Sequence, residues 1–281
     1  MLTVLEIIKK TTEFLARKGI EAPRLNAELL IGHALGLKRM ALYMQFERLL
    51  EERELELIRP LVKRRGLQEP VQYILGQAEF HGLCLKVDPR VLIPRPETEQ
   101  FVERVIAACQ DRPPARILEL GVGSGAIALT LARAFPSAGV VATDVDAGAL
   151  ALAGENAVAA GLADRLGFVL SDWWTAVPPG PYEVIISNPP YLSAEEAAEI
   201  PVEVRAFEPA RALVSPDAGM AALKTIIGSA RPFLAPGGLL ALETGEAQHS
   251  ALMALLAGSG FTAIESQRDL AGRDRFLFAR A

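Results

Sequence analysis

The chain has 281 residues, 51% of them hydrophobic and 22% charged, which is enough apolar content for a large core plus a smaller domain. A formal net charge of −5 argues against a protein that tracks a long phosphate backbone, and so against direct nucleic-acid binding. Two separated cysteines, Cys84 and Cys109, fit reduced thiols in a cytoplasmic protein, and the scattered His33, His81 and His249 give no metal-ligand cluster.

In chain order, residues 1–19 mix Leu5, Ile7, Ile8, Phe14 and Leu15 with Lys9, Lys10, Glu13 and Arg17, the pattern of an amphipathic helix and not of a signal peptide. No charge-free apolar stretch reaches the roughly 18 to 20 residues that span a bilayer, so no membrane partner is expected. Helical periodicity continues to residue 75, with Leu25, Leu29, Leu30, Ala34 and Leu35 on one stripe and Leu49, Leu55, Ile58 and Leu61 on later ones. Residues 1–75 are therefore expected to be a small helical bundle serving substrate recognition. The charges of Lys63-Arg64-Arg65 read as a solvated helix end. Residues 76–93 are expected to be a β-hairpin linker, with strands at 79–87 and 90–93 around a turn at Asp88-Pro89. Residues 94–281 form the remaining domain.

Within that domain, a buried strand at 116–120 leads into Gly121-Val122-Gly123-Ser124-Gly125 and a helix at 126–134. Glycines there let the backbone turn tightly beside a ligand, and the helix N-terminus offers free N–H groups to a carboxylate or phosphate. With Ala126 the stretch also satisfies a dinucleotide fingerprint, so alone it does not separate a nicotinamide cofactor from S-adenosyl-L-methionine. Asp144 ends the next strand, 139–143, where an acid can hold both hydroxyls of an adenosine ribose. A third strand, 166–170, ends in Ser171-Asp172-Trp173-Trp174. Asp172 is placed to accept from an adenine amine, and Trp173 or Trp174 to lie against the ring. The fourth, 184–186, ends at Asn188-Pro189-Pro190-Tyr191. Each proline pushes its predecessor to extended geometry and lacks an N–H. The Asn188 side-chain oxygen and the Pro189 carbonyl can then accept the two hydrogens of one planar NH2 group, with the face of Tyr191 supporting it. Residues 193–217 are expected to be a substrate-facing loop. Strands at 237–243, 261–267 and 275–279 follow, the last two as an antiparallel pair. A glycine loop, an acid, an acid with aromatics and the Asn-Pro-Pro-Tyr turn thus fall at four successive strand ends. In a parallel α/β sheet such ends line one edge and describe one site.

These motifs resemble the seven-stranded, Rossmann-like S-adenosyl-L-methionine-dependent methyltransferases that carry Asn-Pro-Pro-Tyr, among which one group methylates base amines and another the side-chain amide of glutamine. Pro70-Val71-Gln72-Tyr73-Ile74-Leu75-Gly76, Glu79-Phe80-His81-Gly82-Leu83 and Val91-Leu92-Ile93-Pro94-Arg95-Pro96-Glu97-Thr98-Glu99 are similar to the linker of the release factor glutamine N5-methyltransferases. The enzyme acting on ribosomal protein L3 tends to carry Ser-Pro in place of Pro-Glu-Thr-Glu. Val122 stands where the family usually has a small polar residue. The resemblance implies S-adenosyl-L-methionine as cofactor and the glutamine of the Gly-Gly-Gln loop of class I peptide chain release factors as substrate, with methylation of L3 or of adenine N6 as the alternatives. The expected cofactor residues are Gly121, Val122, Gly123, Ser124, Gly125, Asp144, Asp172, Trp173 and Asn188; the expected catalytic residues are Asn188, Pro189, Pro190 and Tyr191. The roles of Arg95, Glu97 and Thr98 stay open between contacting cofactor and capping a helix begun at Pro96.

Overall fold

Helical periodicity in the first quarter of the chain becomes five helices: α1 (Val4–Arg17), α2 (Pro23–Leu35), α3 (Arg39–Tyr43), α4 (Glu52–Gly66) and α5 (Val71–Leu75). The computed structural model describes residues 2–281. Thr3 begins α1 with a capping box, its hydroxyl accepting from the Glu6 N–H at 3.2 Å while the Glu6 carboxylate accepts from the Thr3 N–H at 2.8 Å. Val4, Ile8, Ile31, Leu42, Leu50, Leu55 and Ile58 pack as one core cluster, and Leu15, Ile20, Ala27, Leu30 and Ile74 as another. The buried stripe of α2 therefore runs through Ala27, Leu30 and Ile31, while Leu25, expected on it, is exposed. Leu25 falls in the first turn of α2, which begins at Pro23 after the left-handed Ala22, while Ala34 and Leu35 further along pack against the core as expected.

Arg65 also departs from expectation. It is not solvated but buried, donating to Asn26 Oδ1 at 2.8 Å, to the Glu69 carbonyl at 3.0 Å and to Glu203 Oε2 at 2.5 Å. Three acceptors replace the water that a guanidinium gives up on burial. Glu203 belongs to the segment Pro201–Phe207, which forms one compact unit with Met1–Gln77; Ala78–Ile200 and Glu208–Ala281 form the other.

The hairpin is real but its turn lies earlier than expected. Strands β1 (Gln77–Phe80) and β2 (Leu83–Lys86) turn at His81-Gly82, both with positive φ, 51° and 71°. Two consecutive left-handed residues make the turn whose twist matches antiparallel strands. Residues 90–93 are not a strand. The Arg90 guanidinium folds back onto the Asp88 carboxylate at 2.6 to 3.1 Å, and the Val91 N–H bonds the Asp88 carbonyl at 3.1 Å, so the chain curls there.

The remaining elements alternate: α6 (Pro96–Ala108), β3 (Arg116–Leu120), α7 (Ala126–Ala134), β4 (Gly139–Asp144), α8 (Ala147–Ala159), β5 (Leu166–Leu170), β6 (Tyr182–Ser187), α9 (Ala194–Glu199), α10 (Val202–Phe207), α11 (Ala221–Ala230), β7 (Leu234–Glu243), α12 (His249–Gly258), β8 (Thr262–Arg268) and β9 (Asp274–Arg280). They build a seven-stranded sheet of order β5-β4-β3-β6-β7-β9-β8, parallel except for β9, which runs antiparallel to both neighbours. Side chains alternate across it. Ile117, Val184, Ile186 and Ala241 point into a core with α6, α7 and α8, while Leu118, Leu120, Ile185, Leu240 and Leu242 point into a second core with α11 and α12. The expected substrate-facing loop at 193–217 contains α9 and α10. Strand order reverses between β3 and β6, where Leu120 pairs with Ser187. A crevice at that carboxyl edge is where open α/β sheets take their ligands. Among the described residues no helix is long and apolar enough to cross a membrane, and no group of three or more His, Cys, Asp or Glu is arranged to hold a metal.

Candidate active site

A cavity opens at this reversal point. Its walls include Gly121, Val122, Gly123 and Ser124 after β3, Asp144 at the end of β4, Asp172 and Trp173 after β5, and Asn188, Pro189 and Pro190 after β6. The glycine loop is held from behind, since the N–H groups of Gly121 and Val122 both donate to the Thr143 carbonyl, at 2.9 and 2.8 Å. Gly121 and Gly123 have φ of +79° and +50°, and a Cβ built on either would meet nothing within 4 Å. Their missing side chains leave open space where a ligand can reach the backbone. Gly125 is not part of the wall; it caps α7 with φ +86° and packs closely on Leu129 and Ala153. Val122 turns its side chain into the core between the sheet and α7, which explains how an apolar residue is accommodated in this loop.

Asp144 accepts from the Gly123 N–H and the Asp146 N–H, each at 3.0 Å, leaving further lone pairs on both oxygens. Burial holds its carboxyl above the ordinary aspartate range despite those bonds. The neighbouring Asp146 caps α8 and pairs with Arg211, another residue of the cavity wall. Of the two tryptophans, Trp173 lines the cavity. It sits at φ +47°, a conformation costly for a bulky residue, and Ser171 braces the loop by donating to the Trp173 carbonyl at 2.8 Å. Trp174 instead stacks on Phe233 at 4.8 Å and donates to the Thr225 carbonyl at 3.0 Å, as a packing residue.

Tyr191 is placed differently from the sequence expectation. It stands behind the cavity wall, its ring beneath the Arg275 guanidinium at 5.6 Å and its hydroxyl donating to Glu243 Oε1 at 3.4 Å. Desolvation and the adjacent carboxylate keep the phenol protonated. Its backbone is fixed too. The Tyr191 carbonyl accepts from Gln248 Nε2 at 2.8 Å, and Gly219 passes so close beneath it that an added Cβ would sit 2.1 Å from that oxygen.

Two residues, Glu119 and Glu243, carry no motif-like signal in the sequence, and Thr98 stands in the Pro-Glu-Thr-Glu segment with its role open. Glu119, on β3, is fully buried in the wall, and its Oε2 has no hydrogen-bond partner. Burial raises its pKa well above the usual carboxylate range. Thr98, on α6, accepts from Asn188 Nδ2 at 3.1 Å and donates to Glu243 Oε2 at 2.8 Å. Glu243, the last residue of β7, is 2% exposed, and burial pushes its carboxyl up to about 7 against the pull of Thr98 and Arg275. Pairing along the sequence could not reveal them, because the partners of Glu243 lie 145 and 52 residues away. Arg95 neither lines the site idly nor caps α6 with its side chain; it donates to Glu208 Oε1 at 2.5 Å while the Ile93 N–H donates to Glu208 Oε2 at 3.0 Å. Glu97 pairs with Arg273 at 3.1 Å.

Residues 6–76 match the family described as PrmC N-terminal domain, and residues 101–220 the methyltransferase small domain. The chain is 43% identical to the release factor glutamine methyltransferase of Chlorobaculum tepidum, with 99% of this chain and 97% of that protein covered. It is 38% identical to the enzyme of the same name from Rhodopirellula baltica, with 98% and 95% covered. The chain belongs to the release factor glutamine methyltransferase family. Likeness to solved structures extends the fold assignment: a methyltransferase from Pyrococcus furiosus superposes with a TM-score of 0.54 at 20% identity, covering 71% of this chain and 89% of that one. The hMettl16 catalytic domain bound to a MAT2A 3′UTR hairpin gives 0.56 at 17% identity, covering 79% and 80%. Both share the methyltransferase sheet, which in this family member positions the cavity described above.

Proposed function

We propose that this enzyme transfers the methyl group of S-adenosyl-L-methionine to the side-chain amide nitrogen of the glutamine in the Gly-Gly-Gln loop of class I peptide chain release factors, a modification of the translation termination machinery. The observation that carries this reading is the meeting of the Asn-Pro-Pro-Tyr turn and the glycine loop in one cavity. The cofactor fits the residues present. An unpaired, buried Glu119 oxygen suits the α-ammonium, the open face of Gly121 and Gly123 admits the methionyl portion against the backbone, and Asp144 suits the ribose hydroxyls. Asp172 and Trp173 are left for the adenine. When bound, the sulfonium supplies an electrophilic methyl group.

A carboxamide nitrogen is a poor nucleophile because its lone pair is shared with the carbonyl. Rate must come from holding the nitrogen in line with the methyl carbon, roughly 3 to 3.5 Å away, with its hydrogens engaged so that the lone pair faces the carbon. Asn188 Oδ1 and the Pro189 carbonyl take those hydrogens. As positive charge grows on nitrogen, acceptors already aimed at its hydrogens bind more strongly, so the site favours the transition state over the ground state. The helical unit at residues 1–75 is proposed to recognise the release factor, with the hairpin at 76–93 as linker and 94–281 as the catalytic domain, all in the cytoplasm.

The direct test is incubation of the enzyme with methyl-labelled S-adenosyl-L-methionine and, separately, a release factor, ribosomal protein L3 and duplex DNA, followed by peptide mass analysis. Label on the glutamine of the Gly-Gly-Gln loop is expected. Label only on L3 or DNA would refute the substrate assignment.

A further inference from the structure

The side-chain amide of Asn188 has two ends of nearly the same shape and opposite hydrogen bonding: Oδ1 accepts and Nδ2 donates. Only Oδ1 is of use to a substrate NH2 group. An amide turned over would set NH2 against NH2 and hold the substrate nitrogen away. Something in the fold must choose the end.

The chain of bonds behind Asn188 makes that choice. Asn188 Nδ2 donates to Thr98 Oγ1 at 3.1 Å, and Thr98 Oγ1 donates to Glu243 Oε2 at 2.8 Å. Thr98 and Glu243 are 5% and 2% exposed, so water does not compete for these bonds. A hydroxyl has one proton. Once it is given to an ionised carboxylate, which can only accept, the Thr98 oxygen can only accept from Asn188. Nδ2 must then face Thr98, and Oδ1 must face the cavity.

We propose that Glu243, acting through the Thr98 hydroxyl, is a positioning residue that fixes which end of the Asn188 amide meets the substrate glutamine. The inference rests on the methyl-transfer reading above and assigns Thr98 of the Pro-Glu-Thr-Glu segment a place in it. Protonation of Glu243 removes the constraint. With a proton on Oε2, the carboxyl becomes a donor, both bonds can reverse without any bond being lost, and the amide is free to turn over.

Several groups face Glu243. From α6 come Thr98 and Glu97, from the turn the Tyr191 hydroxyl, and from β9 the Arg275 guanidinium. Burial and Glu97 oppose ionisation, while Thr98, Arg275 and Tyr191 favour it, and the balance lies at about 7. Glu97 is itself paired with Arg273, and Arg275 lies 4.0 Å from Asp269. Methyl transfer should therefore rise as pH climbs through neutrality, because only the ionised carboxylate dictates the direction of the relay.

The test compares wild type, Thr98→Val, Thr98→Ser and Glu243→Gln for kcat and KM with a release factor, for affinity toward S-adenosyl-L-homocysteine by calorimetry, and for kcat from pH 5.5 to 9. Thr98→Val keeps the shape of the side chain and removes the relay. Its kcat should fall on the order of 10- to 100-fold, with the product affinity within about twofold and the limb near neutrality gone. Thr98→Ser should restore both rate and limb, and Glu243→Gln should abolish the limb. A signal independent of turnover is the Asn188 side-chain NH2 resonance, identified by its loss in Asn188→Ala; it should titrate near neutrality in wild type and not in Glu243→Gln. Thr98→Val with wild-type kcat and pH profile, or Thr98→Ser that fails to rescue, would overturn the relay alone. A wild-type enzyme that transfers no methyl to the release factor would overturn the substrate reading and the relay together.

Discussion

Glu119 shows how much a single buried side chain can say about a ligand. One oxygen of its carboxyl has no partner, and burial raises its pKa well above the ordinary carboxylate range, which favours the neutral form in the free enzyme. In the proposed binding mode the α-ammonium of S-adenosyl-L-methionine brings a positive charge to this carboxyl and favours its ionised form. Cofactor binding should therefore release a proton, seen as a dependence of the calorimetric heat on buffer ionisation enthalpy. Glu119→Gln should abolish that dependence and weaken binding on the order of 10-fold or more, since a hydrogen bond to a charged group is worth about 1.5 to 3 kcal/mol. Asp144→Ala should also weaken binding, with the added loss of the acceptor that holds the Gly123 N–H. Asn188→Ala should divide the effects the other way, lowering kcat on the order of 100-fold while leaving product affinity nearly unchanged. Asp144 and Asn188 were legible in the sequence because they sit at strand ends, Asn188 directly before two prolines. Glu119 was not, because it lies inside β3, where a polar residue by itself reads as the solvent side of an amphipathic element; Glu243 was not, because its partners lie 145 and 52 residues away, and Thr98 stood in the Pro-Glu-Thr-Glu segment with its role open. Only the fold shows that Glu119 is buried in the cavity wall and that Thr98 and Glu243 meet.

Elements were legible to the extent that their own residues decide them. The strands at 116–120 and 166–170 coincide with β3 and β5 because short, mostly apolar stretches end at the turn-forming Gly121 and Ser171-Asp172. The hairpin was displaced because Asp88-Pro89 carries the stronger local turn signal, yet His81 adopts φ 51° and closes the turn with Gly82 once Phe80 and Leu85 are drawn into the core. The geometry of the Asn-Pro-Pro-Tyr turn likewise depends on distant chain. Leu192 bridges Val214, its N–H and carbonyl bonding Leu213 and Ser215 at 3.0 Å each, and Gly219 lies against the Tyr191 carbonyl. Gly219→Ala forces a left-handed residue with a side chain into that contact. It should cost on the order of 2 kcal/mol or more of unfolding free energy and reduce turnover, measured by urea unfolding and methyl-transfer assay. Gly228→Ala, in the last turn of α11 with open space around it, is the control and should leave stability unchanged or slightly raised.

At the scale of the whole molecule, the buried carboxyls of Glu119 and Glu243 burden the fold. Glu119 and Glu243 are both held above the ordinary glutamate value of 4.5, Glu243 at about 7. A group whose pKa is raised by folding gives its full contribution below the unfolded value and loses it as pH rises through the folded one. For Glu243 that window runs from about 4.5 to about 7. Glu28, whose pKa its arginine partners lower, and Asp269, lowered first by the Arg273 N–H and then by the Arg273 guanidinium, act in the opposite sense, but they lose their contribution only on acidification below the ordinary carboxylate range and so stay constant here. His249, buried between Thr244 and Ser266 with its pKa lowered, opposes the trend below about 6.5, the unfolded histidine value. The difference between wild type and Glu243→Gln removes this histidine term, since both proteins share it. Urea unfolding should show the variant gaining on the order of 3 kcal/mol relative to wild type between pH 4.5 and pH 8, because a shift of one pKa unit corresponds to 1.36 kcal/mol. Methyl transfer should move the opposite way over the same range, rising in wild type and staying low in the variant. A carboxylate kept ionised at the end of β7 to direct Asn188 thus costs stability in the pH range where it works, and a variant that gained neither stability at pH 8 nor lost activity there would place Glu243 outside both roles.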